Sequence, residues 1–277
     1  MRLRSLLFVP GDRRDRFAKA EASGADAIIL DLEDSVSTQA KERAREAVAS
    51  HLANTAPVHR LVRINPVDGP DWQQDLACAV RADGIVLPKA QGAATVEMLI
   101  AHMAPHLRVL PIATETPQAI FELGSYGRVA ERLCGLSWGA EDLPAAVGAV
   151  SSRHPDGSFT APYEKVRSLT LFGAHAAGVA AIETVYPAID DMEGLKSYAL
   201  RGAYDGFTGM LAIHPAQVPV INAAFTPSEA QVEAARRIVD AFAAAPDAGV
   251  LRIDGKMVDA PHLAQARKIL RRVEQDG

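Results

Sequence analysis

The sequence predicts an α/β fold, namely a (β/α)8 TIM barrel followed by a C-terminal extension of helices and short β structure. Three observations support this prediction. Short apolar runs recur eight times along the first 225 residues, and helical stretches separate most of them. The runs are apolar along their whole length, which is typical of parallel strands covered on both faces. The chain has 277 residues, 48% of them hydrophobic, which suffices for one such barrel and its core.

The predicted strands follow one another as repeated units of strand, loop and helix. A basic helix over residues 13–22 follows the first strand, and an Ala-, Arg- and Glu-rich helix over 39–52 follows the second. The motif Gly-x-Gly-x-x-Gly does not follow the first strand, so the simplest argument for a dinucleotide-binding fold is missing. Eight units in a chain of this length favour a closed barrel over an open, doubly wound sheet. The eight predicted strands are 6–9, 27–32, 61–65, 84–89, 109–113, 133–138, 180–185 and 207–213.

The residues after 225 differ in character from the barrel. Thr226 or Ser228 is placed to cap a helix over 229–245, which the residues at 246–249 then end. A short β segment precedes Asp254-Gly255, a hairpin-type turn, and an amphipathic helix begins at about Pro261. We therefore assign residues 1–225 to a catalytic barrel domain. Residues 226–277 form an extension that we expect to serve as a lid, an oligomer arm or both.

Charge and composition argue against several classes of function. The formal net charge of −5 disfavours nucleic acid as a partner, because binding phosphates needs a surplus of Lys and Arg. The sequence has no run of about eighteen apolar residues, so we expect no membrane span. The apolar run that ends at Pro10 is too short for a signal peptide. The two cysteines, Cys78 and Cys134, lie in apolar stretches, as buried free thiols usually do, which favours a cytoplasmic location.

Polar residues gather at the C-terminal ends of the predicted strands, where a barrel of this kind has its active site. Burying so many ionisable groups is unfavourable unless they are paired or bound to a metal ion. Oxygen ligands with little histidine favour Mg²⁺ or Mn²⁺ over zinc, and Glu115 and Asp142 can provide the one or two carboxylates that Mg²⁺ commonly takes. An alternative is that these acids form salt bridges with Arg63 and Lys89 that close one end of the barrel. The strand-end residues are Asp31, Glu33, Asp34, Arg63, Asn65, Lys89, Glu115, Glu141, Asp142, Glu183 and His214.

Seven motifs occur in a fixed order along nearly the whole chain. They are Arg-Ser-Leu-Leu-Phe-Val-Pro-Gly-Asp at 4–12, Leu-Asp-Leu-Glu-Asp at 30–34, Val-Arg-Ile-Asn at 62–65, Leu-Pro-Lys at 87–89, Glu-Thr at 115–116, Gly-Ala-Glu-Asp-Leu at 139–143 and Ala-Ile-His-Pro at 212–215. In this order they resemble the citrate lyase beta subunit-like family of the aldolase/citrate lyase superfamily, which includes malyl-CoA, citramalyl-CoA and related hydroxyacyl-CoA lyases. The resemblance implies a Mg²⁺-dependent carbon–carbon lyase. Such an enzyme cleaves a small hydroxyacyl-CoA thioester into an oxo acid and a shorter acyl-CoA, or forms it by Claisen condensation.

The resemblance also implies roles for residues at the mouth of the barrel. Glu115 and Asp142 match the two Mg²⁺ ligands of the family. Arg63 matches the arginine that faces the thioester carbonyl as its enolate develops. The backbone segment expected to bind the carboxylate of the oxo acid consists of Gly139, Ala140 and Glu141.

Further roles follow from the same resemblance. Asp259, within the segment 255–261, matches an aspartate that acts as acid and base and that in several lyases reaches the site of the adjacent subunit. Glu33 and Asp34 are expected to orient metal-bound waters or Arg63 rather than to bind the metal directly. A site shared between subunits requires an oligomer, and the family's usual assemblies imply a homotrimer or hexamer.

Two of these residues have structural alternatives. Arg63 would also serve simply to neutralise Glu33 or Asp34. Asp259 precedes Ala260-Pro261, which makes it a good candidate for a helix N-cap. Sequence alone favours the cap, and the family resemblance favours the catalytic role.

Three other features have a structural and a functional interpretation. Lys89 at a strand end would suit a Schiff base, but its acidic neighbours favour an ion pair. We expect His214 to be a hydrogen-bonding residue at a strand end rather than a metal ligand. The basic cluster of Arg13, Arg14 and Arg16 is typical of a solvated helix face, and contact with the phosphates of CoA is the alternative.

Other functions fit the same motifs. One is the beta subunit of a multisubunit citrate lyase, which acts on a citryl thioester of an acyl-carrier protein. Another is a CoA-independent, metal-dependent pyruvate aldolase, and a third is a thioesterase for malyl-CoA-like thioesters. An acyl-CoA-binding protein without turnover is a fourth. The sequence does not distinguish the acyl group, because one methylene changes discrimination by only about 1–3 kcal/mol.

Overall fold

A computed structural model describes residues 1–274, and residues 275–277, the end of the predicted extension, lie outside the described residues. Its main sheet consists of eight parallel strands in the order β5-β4-β3-β2-β1-β8-β7-β6. The strands are β1 (Ser5–Pro10), β2 (Ala27–Asp31), β3 (His59–Arg63), β4 (Gly84–Leu87), β5 (Arg108–Pro111), β6 (Gly135–Ser137), β7 (Ala180–Glu183) and β8 (Gly209–Ala212). Isolated parallel bridges join Val109 to Leu133 and Ile112 to Ser137, so the two edge strands of the sheet meet. The predicted (β/α)8 barrel is confirmed.

Helices follow the strands and cover the outside of the barrel. Short 3₁₀ segments at Arg14–Arg16, Thr38–Ala40 and Leu123–Arg132 supplement them. None of the helices in residues 1–274 has both the length and the apolar character needed to cross a membrane. The α-helices of this part of the chain are α1 (Phe17–Glu21), α2 (Lys41–Leu52), α3 (Trp72–Cys78), α4 (Ala93–Ile100), α5 (Pro117–Phe121), α6 (Leu143–Val147), α7 (Ala161–Ala177), α8 (Met192–Asp205) and α9 (Gln217–Phe225).

The interior of the barrel is filled by apolar side chains from most of the strands. This cluster includes Leu6, Ile29, Leu61, Leu110 and Ile182, each with almost no exposed surface. The strands are buried on both faces, and β2 is buried at all five of its residues. This burial explains why the strands appear in the sequence as continuous apolar runs rather than as alternating patterns.

Several predicted element boundaries are wrong by one to three residues. The third strand was predicted over 61–65, but β3 pairs over His59–Arg63 and leaves Asn65 in the following loop. The fourth strand ends at Leu87, and Lys89 lies beyond it with a φ of 50°. The helix predicted over 13–22 is a 3₁₀ turn followed by the five-residue α1. The corrected strand ends place more polar residues in the loops at the mouth of the barrel.

The chain divides into two compact units, one of Leu3–Asn222 and one from Ala223 onward. The second unit contains α10 (Glu229–Ala244), β9 (Val250–Ile253), β10 (Lys256–Asp259) and α11 (Ala260–Glu274). Of the two candidate caps, Ser228 begins α10 through a capping box with Gln231. The strands β9 and β10 pair antiparallel across Asp254 and Gly255, whose φ angles of 49° and 77° suit a two-residue hairpin turn. The assignment of 1–225 and 226–277 as separate domains stays a prediction.

Candidate active site

A cavity of about 1060 Å³ opens at the C-terminal ends of the barrel strands, within the first unit. The loops after parallel strands meet at this end, which is where polar groups from distant parts of the sequence come together. Most of the residues predicted for the site line this cavity, and Glu33 is buried directly behind it against Arg63. The predicted residues on the cavity wall are Asp34, Arg63, Glu115, Gly139, Ala140, Glu141 and Asp142.

Arg63, at the end of β3, is held by two carboxylates. Its Nε donates to Asp31 Oδ1 over 2.7 Å, and its Nη2 donates to Asp31 Oδ2 over 2.6 Å. Burial opposes the charge of Arg63, but the hydrogen bonds and charge of Asp31 raise its pKa above the ordinary value. Burial likewise opposes ionisation of Asp31, but Arg63 keeps the pKa of that carboxyl low. The guanidinium is therefore fixed in orientation and charged.

Asp31 was among the polar strand-end residues of the sequence, but no role was predicted for it. The structural alternative for Arg63 was that it neutralises Glu33 or Asp34. The signal that identifies Asp31 is the register of β2 and β3, in which Asp31 and Arg63 are direct partners. Arg63 Nη1 also lies 2.8 Å from Glu33 Oε2, so one of the two expected partners is present as a second ion pair.

Glu33 is a buried carboxyl with an unusual environment. Its side chain is 4% exposed, and neither carboxylate oxygen has a hydrogen-bond partner among residues 1–274. Burial raises its pKa to about 7, and Arg63 only partly offsets this effect. Asp34 is exposed by comparison and contributes to the rise through its negative charge. Glu33 is thus close to half-ionised near neutral pH and sensitive to any cation placed in the cavity.

Glu115 follows β5 and lies in the cavity wall with only 5% of its surface exposed. Its Oε2 accepts a hydrogen bond of 2.5 Å from the backbone N–H of Lys89. Burial raises the pKa of Glu115 to about 8, and the charges of Glu33 and Asp142 add to the effect. A carboxyl with this pKa holds its proton at neutral pH unless a cation replaces it.

Lys89 reaches the same group of acids, as the ion-pair interpretation expects. Its Nζ lies 3.8 Å from Asp142 Oδ1 and 4.0 Å from Glu33 Oε1. Burial lowers the pKa of Lys89, but the charges of Glu33 and Asp142 outweigh burial and raise it. A lysine with a raised pKa stays protonated, which disfavours the Schiff-base alternative.

The segment 139–142 follows β6 and packs directly on Glu115. A Cβ atom on Gly139 would lie 2.8 Å from Glu115 Cγ, so only glycine fits without a shift. Thr114 Oγ1 accepts from the Gly139 N–H over 3.1 Å and donates to the Gly139 carbonyl over 3.2 Å. These contacts bring Asp142, whose side chain is 37% exposed, to the same side of the cavity as Glu115.

The donor set around Glu115 and Asp142 fits a hard divalent cation. Two positive side chains, Arg63 and Lys89, face five carboxyl groups, and two of these carboxyls have strongly raised pKa values. Such an excess of acid in a partly buried site is stabilised by a bound cation. Residues 1–274 contain no preformed group of three or more acidic, His or Cys ligands. One or two carboxylates with water and substrate complete the usual coordination of Mg²⁺, so this arrangement suffices.

Asp259 lies in the second unit, at the end of β10. Its Oδ1 is 2.5 Å from Nδ1 of His262, which lies in the first turn of α11. Sequence analysis did not identify His262, although an acid and a histidine three residues apart at a helix start are recognisable partners. The catalytic role of Asp259 and its alternative as a helix cap remain predictions.

His214 and the basic cluster at 13–16 are exposed, and His214 and Arg16 also line the cavity. His214 is exposed, and its Nδ1 accepts from the N–H of Ala216 over 3.2 Å. Arg13, Arg14 and Arg16 are exposed, and Arg13 is paired with Asp15. Arg16 also lies on the cavity wall together with Lys19, which leaves contact with an anionic ligand open for this residue.

Comparison with known proteins shows similarity over the whole chain. Residues 4–215 match the family described as HpcH/HpaI aldolase/citrate lyase, and residues 165–277 match a family described as a carbon–carbon bond lyase of the TIM-barrel fold. The citrate lyase subunit beta-like protein of Mycobacterium tuberculosis is 39% identical over 268 residues, which cover 96% of this chain and 94% of that protein. A (3S)-malyl-CoA thioesterase of Cereibacter sphaeroides is 35% identical over 277 residues, which cover 98% of this chain and 94% of that protein.

A solved structure is also similar. The crystal structure of CitE from Mycobacterium tuberculosis in complex with magnesium, acetoacetate and coenzyme A has a TM-score of 0.84 to this chain and 37% sequence identity. The match covers 99% of this chain and 98% of that one.

Proposed function

Because the chain belongs to the HpcH/HpaI aldolase/citrate lyase family, we propose that it is a Mg²⁺-dependent carbon–carbon lyase that acts on a small hydroxyacyl-CoA thioester. The similar CitE crystal structure contains magnesium, acetoacetate and coenzyme A, which supports both the metal and the thioester. The proposal does not specify the acyl group of the thioester, which an experiment has to identify.

One observation supports the proposal best. Glu115 and Asp142 line one cavity together with Arg63, and the cluster carries more acid than its own cations neutralise. We propose that Glu115 and Asp142 hold Mg²⁺ there, while Glu33 and Asp34 orient its waters and Arg63. When bound, Mg²⁺ supplies a Lewis acid that stabilises negative charge developing on a substrate oxygen.

The reaction proposed for this site is a retro-Claisen cleavage. The hydroxyl proton of the substrate passes to solvent water, the neighbouring carbon–carbon bond breaks, and the hydroxyl carbon becomes the carbonyl of the oxo acid. The electron pair of the broken bond is delocalised onto the thioester oxygen as an enolate, and protonation at carbon then gives the shorter acyl-CoA. The required groups are a cation facing the enolate oxygen, a cradle for the oxo-acid carboxylate and a proton donor.

Arg63 is suited to face the enolate oxygen. Asp31 occupies its Nε and one Nη2 hydrogen, so the guanidinium is fixed while other N–H groups remain for a ligand in the cavity. A donor held in advance at the position of developing charge contributes about 3 kcal/mol or more to catalysis. The backbone of Gly139, Ala140 and Glu141 lies beside Glu115 and is suited to bind the oxo-acid carboxylate.

Asp259 is the proton donor in this proposal, acting from an adjacent subunit of a homotrimer or hexamer. The proposal is testable by mixing two inactive variants, Arg63→Ala and Asp259→Ala, under conditions that allow subunits to exchange. Sites shared between subunits should regain part of the activity, since some sites then receive both native residues. A mixture that stays inactive while native mass spectrometry, with one variant carrying a mass tag, shows mixed oligomers would contradict action in trans.

Thioester hydrolysis is a second candidate because a relative 35% identical over nearly the whole chain is a (3S)-malyl-CoA thioesterase. The same site would then direct water to the thioester carbonyl, and the carbon–carbon bond would stay intact. The products distinguish the two activities, because hydrolysis releases free thiol and no carbonyl compound.

The decisive experiment incubates the protein with Mg²⁺ and malyl-, citramalyl- or 3-hydroxy-3-methylglutaryl-CoA, with and without EDTA. Carbonyl product, shorter acyl-CoA and free thiol are followed separately. A lyase should release carbonyl product and acyl-CoA together and lose this activity in EDTA. No turnover of any ester would instead favour the carrier-protein subunit or the CoA-independent aldolase. Turnover of a citryl-carrier-protein substrate would then identify the first, and turnover of a free 4-hydroxy-2-oxo acid the second.

A further inference from the structure

A buried polar network lies behind the cavity wall, centred on Glu183 at the end of β7. Glu183 Oε1 accepts from Trp138 Nε1 over 2.6 Å, from the Tyr198 hydroxyl over 2.7 Å and from the Thr184 N–H over 3.0 Å. Its Oε2 accepts from Arg167 Nε over 2.6 Å. Glu183 and Trp138 have no exposed surface and Arg167 is 2% exposed. This carboxylate therefore uses both of its oxygens within the protein.

Arg167, on α7, is the counterion of Glu183. Burial opposes the charge of Arg167, but Glu183 and Asp205 raise its pKa above the ordinary value. Its Nη1 donates to Asp205 Oδ2 over 2.6 Å, and its guanidinium lies 4.8 Å from the centre of the Phe207 ring. The Arg167 side of the ion pair is thus held by the end of α8 and by the residue two positions before β8. A carboxylate held in this way accepts hydrogen bonds in a set direction.

Trp138 connects this network to the proposed metal site. It follows β6 directly and precedes the segment 139–142, which we call the β6 loop. Trp138 lines the cavity next to the β6 loop, and Thr184, whose backbone N–H donates to Glu183, lines it as well. Packing of the indole on Phe159, with ring centres 5.0 Å apart, supports its position from the other side. The β6 loop therefore begins next to a residue whose indole Glu183 holds in place.

We infer that Glu183 is a positioning residue that fixes the β6 loop through Trp138 and thereby sets the place of Asp142 relative to Glu115. The inference rests on the proposed function only in taking Asp142 as a metal ligand. Glu183 has no contact with the reacting atoms in this assignment. Its effect reaches the metal through the indole and four residues of backbone.

The test compares three variants by Mn²⁺ binding, which needs no turnover. Trp138→Phe removes the indole N–H together with part of the ring that packs on Phe159, and Glu183→Gln removes the charge that pairs with Arg167. Tyr198→Phe is the matched control, because it deletes a hydrogen bond to the same Oε1 atom from a residue on α8 that is not among the cavity-lining residues of the described chain. We expect Trp138→Phe and Glu183→Gln to weaken Mn²⁺ binding about tenfold, as is usual for residues that orient metal ligands, and Tyr198→Phe to bind nearly as the parent does.

A purely structural role predicts a different pattern. Trp138→Phe and Tyr198→Phe would then each lower the thermal midpoint and leave Mn²⁺ binding unchanged, which would overturn the inference. A parent protein that binds no Mn²⁺ would overturn both the inference and the metal site. A parent protein that binds Mn²⁺ but turns over no thioester would overturn only the proposed lyase activity.

Fluorescence provides a second measurement, which leaves Trp138 and Glu183 unchanged. The chain has two tryptophans, so in a Trp72→Phe background Trp138 is the only one. Binding of Mg²⁺ and then of pyruvate to that protein should change the Trp138 emission, because the β6 loop that receives both ligands is coupled to the indole. Emission that stays constant at saturating Mg²⁺ and pyruvate would contradict the coupling.

Discussion

Replacement of Glu115 by glutamine tests the charge balance of the site directly. Burial raises the pKa of Glu115 from 4.5 to about 8 in the metal-free protein. A folded-state pKa above the unfolded value means that the stabilising contribution is present below the unfolded pKa and is lost as pH rises through the folded pKa. Glutamine keeps an oxygen that can accept the Lys89 N–H but has no proton to lose. The free energy of unfolding of the metal-free parent should therefore fall as the pH rises, and that of the Glu115→Gln variant should fall less.

The magnitude follows from the shift. Between about pH 5.5 and about pH 8 the parent should lose about 3 kcal/mol more of its free energy of unfolding than the variant does, since each pKa unit is worth about 1.4 kcal/mol. Urea unfolding in EDTA at both pH values measures the difference. Glu193→Gln is the control, because that side chain is 88% exposed on α8 and should behave as the parent does.

Magnesium should reverse this effect in the parent but not in the variant. The ion must displace the proton of Glu115, so its apparent affinity should rise about tenfold per pH unit below the pKa. If the free energies of unfolding of parent and Glu115→Gln in EDTA change with pH in the same way, Glu115 is already ionised at about pH 5.5 and its pKa is not raised. Full stabilisation of Glu115→Gln by Mg²⁺ would show that this carboxyl is not a metal ligand.

Three further predictions concern single residues. Asp142→Ala should lose Mn²⁺ binding and turnover together, whereas Asp259→Ala should keep the metal and lose turnover; a fully active Asp259→Ala protein would remove the extension from the mechanism. Arg63→Lys should lower kcat about 10²–10³-fold in the lyase assay, because an ammonium group cannot both form the two-point contact with Asp31 and face the substrate; unchanged kcat would exclude Arg63 from charge stabilisation. Ser228→Ala should cost about 1 kcal/mol of stability by removing the cap of α10, seen in urea unfolding; a larger loss would mean that Ser228 does more than cap the helix.

The barrel was predictable because its strands contain short apolar runs, which burial on both faces requires. The strand ends were less predictable, since an apolar pattern records burial rather than pairing. His59 and Arg60 begin β3 although they are polar, because their backbone pairs with Ala27 and Ile28 of β2. Ile64 is buried like a strand residue but lies beyond the paired segment.

The candidate site was predictable in its composition and less so in its pairing. Residues after parallel strands meet at one end of a barrel, so the acids and Arg63 were expected to lie together. The choice of Asp31 over Asp34 as the partner of Arg63 depends on the register of two strands, which the sequence does not contain. The network around Glu183 was missed for a related reason, because Trp138 and Glu183 are 45 positions apart and only the fold brings them into contact.

The seam between β5 and β6 gives the proposed metal a mechanical role. The strands there meet through isolated bridges, with the amides of Ala113 and Cys134 donating across the gap over 2.9 Å and 3.0 Å. Glu115 follows one of these strands and Asp142 follows the other. A cation bound by both carboxylates would cross-link the barrel at its most sparsely paired joint, so filling the site would also reinforce the closure of the barrel. Exchange of the Ala113 and Cys134 amide hydrogens with solvent would then report occupancy of the metal site from the barrel wall.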